Sequence, residues 1–123
     1  MLRLFALLTR LAFWICLAIV LILSLTKDPD PSLGTGWDKS NHLLAFAVLA
    51  LLGRLSYPGR RLLLPLGLLG YGLLIEVLQA MTGYRSADIE DLLADTLGIL
   101  LGCLIASGGM WIKRRRDPVH SQF

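Results

Sequence analysis

Four apolar runs constrain this chain more than any other feature. A helix needs about 20 mostly apolar residues to cross the hydrocarbon layer of a bilayer. Windows of that kind fall at roughly 5–26, 39–57, 62–81 and 92–112. The first ends in WICLAIVLILSLT and the second is centred on HLLAFAVLALLG. With 123 residues in all, little chain is left for anything else. The spacing predicts one all-α unit, a polytopic membrane protein of four transmembrane helices. Composition supports this, because 55% of the residues are hydrophobic and the mean hydropathy is +0.66. A soluble domain carries less apolar surface than that. Pro65 stands in the first turn of the third window, where its missing N–H breaks no helical bond. Cys16 and Cys103 each sit inside an apolar run and read as small apolar side chains. Their spacing suits neither a disulfide nor a metal pair.

The placement of charge orients the four windows. Arg3, Arg10, Arg54, Arg60, Arg61 and the run Lys113 to Arg116 put nine basic residues on one side. The other side has only Lys27, Lys39 and Arg85. Basic residues favour the cytoplasmic side of short loops. Both termini are therefore expected in the cytoplasm, with loops 27–38 and 82–91 facing outward. Arg3 and Arg10 before an apolar core also match a cleaved leader, but no A-x-A site follows, and Trp14 with its long apolar run suits a retained helix. The tail KRRR reads as a topology signal that also touches anionic lipid, not as a nucleic-acid site. The chain divides into 1–35 (first helix and outward loop), 36–112 (helical membrane domain) and 113–123 (basic cytoplasmic tail). A short multi-span chain with this charge bias suits the bacterial cytoplasmic membrane.

The unusual polar residues gather on the outward side. Asp38, Lys39 and His42 open the second window. Glu76 and Gln79 close the third. Arg85, Asp88, Glu90, Asp91 and Asp95 lead into the fourth. Asp38 and His42 are four apart and share a helix face, as do Glu76 and Gln79 three apart. Asp88, Asp91 and Asp95 form a row above Ala94, Gly98, Gly102 and Ala106, a small-residue stripe that lets membrane helices approach closely. Asp91 lies about 20° around the helix from Gly98 at 100° per residue. The acids therefore point into the bundle. The stripe serves either internal packing or a homo-oligomer. Glu90 reads as solvated, Asp88 as a helix N-cap compatible with a site role, and Asp95 and Gln79 as residues that can also hydrogen-bond helices together.

The ordered set Asp38-Lys39-x-x-His42, Glu76-x-x-Gln79 and Arg85-Ser86-x-Asp88-x-x-Asp91-x-x-x-Asp95-x-x-Gly98 resembles the VanZ-like family of small membrane proteins. The resemblance covers about residues 36–106. It implies an integral membrane protein of four or more helices. The founding member is associated with resistance to the glycopeptide teicoplanin, and the family carries no defined activity. The family usually has Asn where this chain has Asp95.

Three kinds of function fit the residues. In the first, the cluster binds or moves a lipid-linked or cell-envelope ligand, with Asp38, Lys39, Gln79, Arg85, Asp88, Asp91 and Asp95 as its binding residues. In the second, it is an enzyme acting on a lipid phosphoester. There His42 and Glu76 are the candidate acid/base pair, and Arg85 holds a phosphate bidentately. Asp88 and Asp91, joined by His42, are candidate ligands of a divalent metal, although the pattern names no cofactor. In the third, the polar set only pins the bundle. Membrane lipids are the expected partners in all three, with an envelope precursor added in the first.

Overall fold

In a computed structural model the described residues are 1–26, 38–83 and 89–116. They form four helices and no strand: α1 (Leu2–Leu25), α2 (Asp38–Ser56), α3 (Leu63–Thr82) and α4 (Ile89–Arg116). The expected windows and these helices agree to within four residues at every end. The largest difference is in α4, which starts before residue 92 and continues through the basic run to Arg116. Lysine and arginine propagate a helix well, and their charge complements the carbonyl end of the helix dipole.

Local sequence accounts for the helix ends. Pro58 disfavours helical geometry at Tyr57, so α2 stops at Ser56. The Arg60 N–H then donates to the Tyr57 carbonyl at 3.1 Å, closing a tight turn. Gly83 follows α3 with φ +80°, a left-handed conformation that glycine adopts without a Cβ clash and that halts the helix.

Three helices are long and apolar enough to cross a membrane: α1, α3 and α4. α2 is the shorter apolar helix, with its apolar stretch running Ser40–Ser56. Its first turn is polar because it opens the cluster described below.

The burial pattern is that of a protein turned toward lipid. Only 11% of the apolar window of α1 is buried. Leu4, Leu8, Leu11, Ile15, Ile19 and Ile22 are each half exposed or more. Apolar side chains left outward in this number have no place in water. The small core that is buried holds Phe13, Phe46, Leu49, Leu68, Ile75 and Ile99, drawn from all four helices. Around the bundle the order is α1, α2, α4, α3, with α2 also meeting α3 across the middle. α2 is thus the most enclosed helix, and α1 does not meet α4.

Hydrogen bonds at the two ends show that successive helices run in opposite directions. At one end, Trp14 Nε1 donates to Tyr57 Oη at 3.0 Å. There, too, Arg10 Nε reaches the Ser56 carbonyl at 3.4 Å and Arg54 Nη2 reaches Ser107 Oγ at 3.4 Å. The Arg10 guanidinium lies 5.1 Å from the Tyr57 ring centre, and that of Arg115 lies 4.4 Å from the Trp111 ring. Tryptophan, tyrosine and arginine together are the composition of a membrane–water boundary. At the other end, Gln79 Nε2 of α3 donates to the Ser24 carbonyl of α1 at 2.9 Å. The Tyr71 hydroxyl makes a similar bond to the Leu17 carbonyl nearer the middle.

The tightest contact in the bundle joins α2 and α4. A Cβ added to Gly98 would run into the backbone carbonyl of Leu43, with Ala47 N at 3.0 Å and Phe46 Cβ at 3.1 Å. One added to Gly102 would run into the Ala47 carbonyl, with Ala50 Cβ at 2.7 Å. Ala94 and Ala106 complete the stripe and are buried as well. Of the two uses open to this stripe, the structure shows packing within the chain.

Candidate functional site

The polar end of the bundle is assembled from three helices. His42 sits in the second turn of α2, Glu76 near the end of α3, and Asp91 and Asp95 in the opening turns of α4. Each lies on the face its spacing predicts. On α3 the buried face reads Leu64, Leu68, Gly72, Ile75, Glu76 and Gln79, a helical repeat that turns polar in its last turns. On α4 the buried positions Ala94, Asp95, Gly98 and Gly102 carry the acid straight into the α2 contact.

Asp95 is the deepest of these side chains, with no exposed surface. His42 Nδ1–H donates to its Oδ1 at 2.8 Å. A carboxylate only accepts, so this bond fixes the ring orientation and leaves Nε2 outside it. Nε2 lies 4.0 Å from Asp91 Oδ2. The second oxygen of Asp95 occupies a slot made by a missing side chain. A Cβ on Gly72 of α3 would come within 2.8 Å of Asp95 Oδ2. That oxygen, like Gln79 Oε1, is buried and accepts no hydrogen bond among the described residues.

Glu76 is 5% exposed and faces the same space. One ligand atom each from His42, Glu76 and Asp91 lies within 4.8 Å of the others. Two ionised carboxylates at that separation repel by about 3 kcal/mol at an effective dielectric constant of 20. Holding them together beside a nearly buried histidine requires compensating positive charge, from a basic side chain, a proton, an ion or a ligand.

The arrangement sorts the residues singled out in the sequence. His42, Glu76, Asp91 and Asp95 come together. Gln79 stands beside them but spends its amide on α1. Glu90 is exposed at the start of α4, as a solvated residue should be. The side chains of Asp38 and Lys39, and all of Arg85 and Asp88, lie outside the described residues. Gly98 and Gly102 hold α4 against α2 just below the cluster. His42 and Glu76, the candidate acid/base pair, lie close together, and the direct hydrogen bond of His42 is to Asp95. The role of Gly72 as the wall of the Asp95 slot was not read from sequence, where it only continued the Glu76 face. Arg54 was also missed as an interior residue. It reads as a loop-flanking charge, yet it is 6% exposed. The cause is the pairing of α2 with α4, which sets Ser107 alongside it.

Comparison with known proteins matches residues 2–113 to the family described as VanZ/LLP1. No curated protein and no solved structure matches the chain.

Proposed function

We propose, on the premise that the chain belongs to the VanZ/LLP1 family, that it binds the polar end of a lipid-linked or cell-envelope ligand. The protein is a multi-pass protein of the bacterial cytoplasmic membrane in this reading. Its acid and histidine cluster faces outward, and both termini lie in the cytoplasm. The observation that carries the reading is the convergence of His42, Glu76, Asp91 and Asp95 from three helices at one end of an otherwise apolar bundle. Ionisable residues at membrane depth are costly and mark sites by default. An amphiphile brings a polar end to such a cluster and an apolar tail to the lipid-facing helices. Envelope homeostasis is the role that follows, and resistance to teicoplanin-type glycopeptides follows where the bound precursor is the drug's target.

The test compares lipid and envelope-precursor profiles of cells carrying the wild type and Glu76→Gln. The substitution should shift the abundance of at least one precursor while leaving protein level unchanged. Identical profiles would overturn the reading. A second reading, in which the cluster only pins the helices, is favoured by the hydrogen bonds of Asp95 to His42 and of Gln79 to Ser24. It predicts the reverse result: equal profiles and a lower melting temperature in detergent. The orientation has its own measurement. A reporter fused after Phe123 should be active in the cytoplasm, and activity on the far side of the membrane would refute the topology.

A further inference from the structure

We infer that His42, Glu76 and Asp91 form a binding site for one divalent transition-metal ion, with Asp95 as the residue that positions the histidine. The inference rests on the reading of this cluster as a ligand site and names what makes it one. The three ligand atoms come from three different helices and lie within 4.8 Å of one another. Around a single zinc-like ion, ligand atoms about 2.1 Å from the metal stand about 3.4 Å apart. Small side-chain rotations bring His42 Nε2 and Asp91 Oδ2 from 4.0 Å to that spacing.

The support around the histidine points the same way. A metal-binding imidazole usually gives its other N–H to a carboxylate, which fixes the ring and its tautomer. Asp95 does this for His42, from a fully buried position and at 2.8 Å. The slot opposite Gly72 holds that carboxylate in place. The other ring nitrogen, Nε2, stands 4.0 Å from Asp91 Oδ2, close to a second acid that a link between α2 and α4 alone does not need.

Charge gives a third reason. With a neutral imidazole, the carboxylates of Glu76, Asp91 and Asp95 gather negative charge at this end of the bundle, and a divalent cation offsets two units of it. An acidic cluster by itself repels a phosphate, whereas a bound divalent ion offsets that charge and offers a coordination position to an anionic oxygen. Three protein ligands leave coordination positions open for an oxygen of an anionic head group. The nitrogen and two oxygens favour zinc, manganese, iron or cobalt over calcium or magnesium.

The experiment uses the full chain purified in detergent and stripped with a chelator. Cobalt(II) is titrated and followed by its visible d–d absorption, with zinc as competitor. The wild type should bind one ion per chain, saturably. Asp95→Asn should keep the stoichiometry and lose about 10- to 100-fold in affinity, as loss of a supporting carboxylate does elsewhere. His42→Gln and Asp91→Asn should abolish the cobalt spectrum, and Glu90→Gln, an exposed acid on the same helix, should leave it intact. Circular dichroism of each stripped variant confirms that it is folded. No saturable cobalt spectrum in the wild type overturns the inference. So does equal binding by His42→Gln, or a loss in Glu90→Gln as large as in Asp91→Asn. The two proposals fail separately. A precursor profile that responds to Glu76→Gln without cobalt binding sinks the metal site alone. Stoichiometric cobalt with unchanged profiles sinks the ligand reading alone.

Discussion

Gly98→Val should leave almost no folded protein in the membrane. The glycine stands where α4 meets the backbone of α2, and even a Cβ there would run into the Leu43 carbonyl. Backbone cannot swing aside as a side-chain tip does. The helices would have to separate, and His42 would lose its register with Asp95. Overpacking a core usually costs about 1–3 kcal/mol, and a clash with backbone belongs at or above the top of that range. Against a total stability of about 5–15 kcal/mol that is a severe loss. The matched control is Gly108→Val, at a position on the same helix with nothing within 4 Å of the added carbon. Membrane abundance and detergent melting temperature of the pair provide the measurement. Two variants that melt within a degree or two of each other would show that the α2–α4 contact is not as close as described.

Asp95→Leu should be the most damaging change at the polar end itself. It removes the acceptor of His42 Nδ1 and sets a bulkier side chain in the slot that Gly72 leaves open. Leaving a buried donor without its acceptor costs about 1–3 kcal/mol, and the poorer fit of leucine in the slot adds to that. Asp95→Asn keeps the size and the oxygen acceptor, so its melting temperature should stay close to wild type. Thermal melts of both variants in one detergent separate the effects. If leucine is tolerated as well as asparagine, the buried hydrogen bond contributes little, and His42 is held by something else.

Much of this was legible in the sequence, because lipid imposes a simple rule. Long apolar runs must be helices, so the four windows could be placed to within a turn. The small-residue stripe fixed which face of α4 is interior, and through it the inward direction of Asp91 and Asp95. Which helix that face meets was not legible. The row Ala94, Gly98, Gly102 and Ala106 shows that something comes close but not that it is α2. Nor could spacing within single helices choose between Asp95 and Glu76 as the partner of His42. That choice depends on how deep each helix end sits, which is set by packing between helices. Arg54 shows the same limit, since a basic residue in a last turn looks identical whether it flanks a loop or lies beneath a neighbouring helix.

The closeness of α2 and α4 also has a consequence in time. The two helices that fit most tightly are not consecutive in the chain, since α3 lies between them. At about 5–20 residues per second of synthesis, the chain from the end of α2 to the end of α4 takes roughly 3–12 s to make. For roughly the first 2–9 s of that interval His42 is without Asp95, and the close-packed face of α2 is without its glycines. The half-made protein therefore carries its shortest apolar helix before the helix that encloses it exists. The last helix to be synthesised is the one that completes both the packing seam and the site.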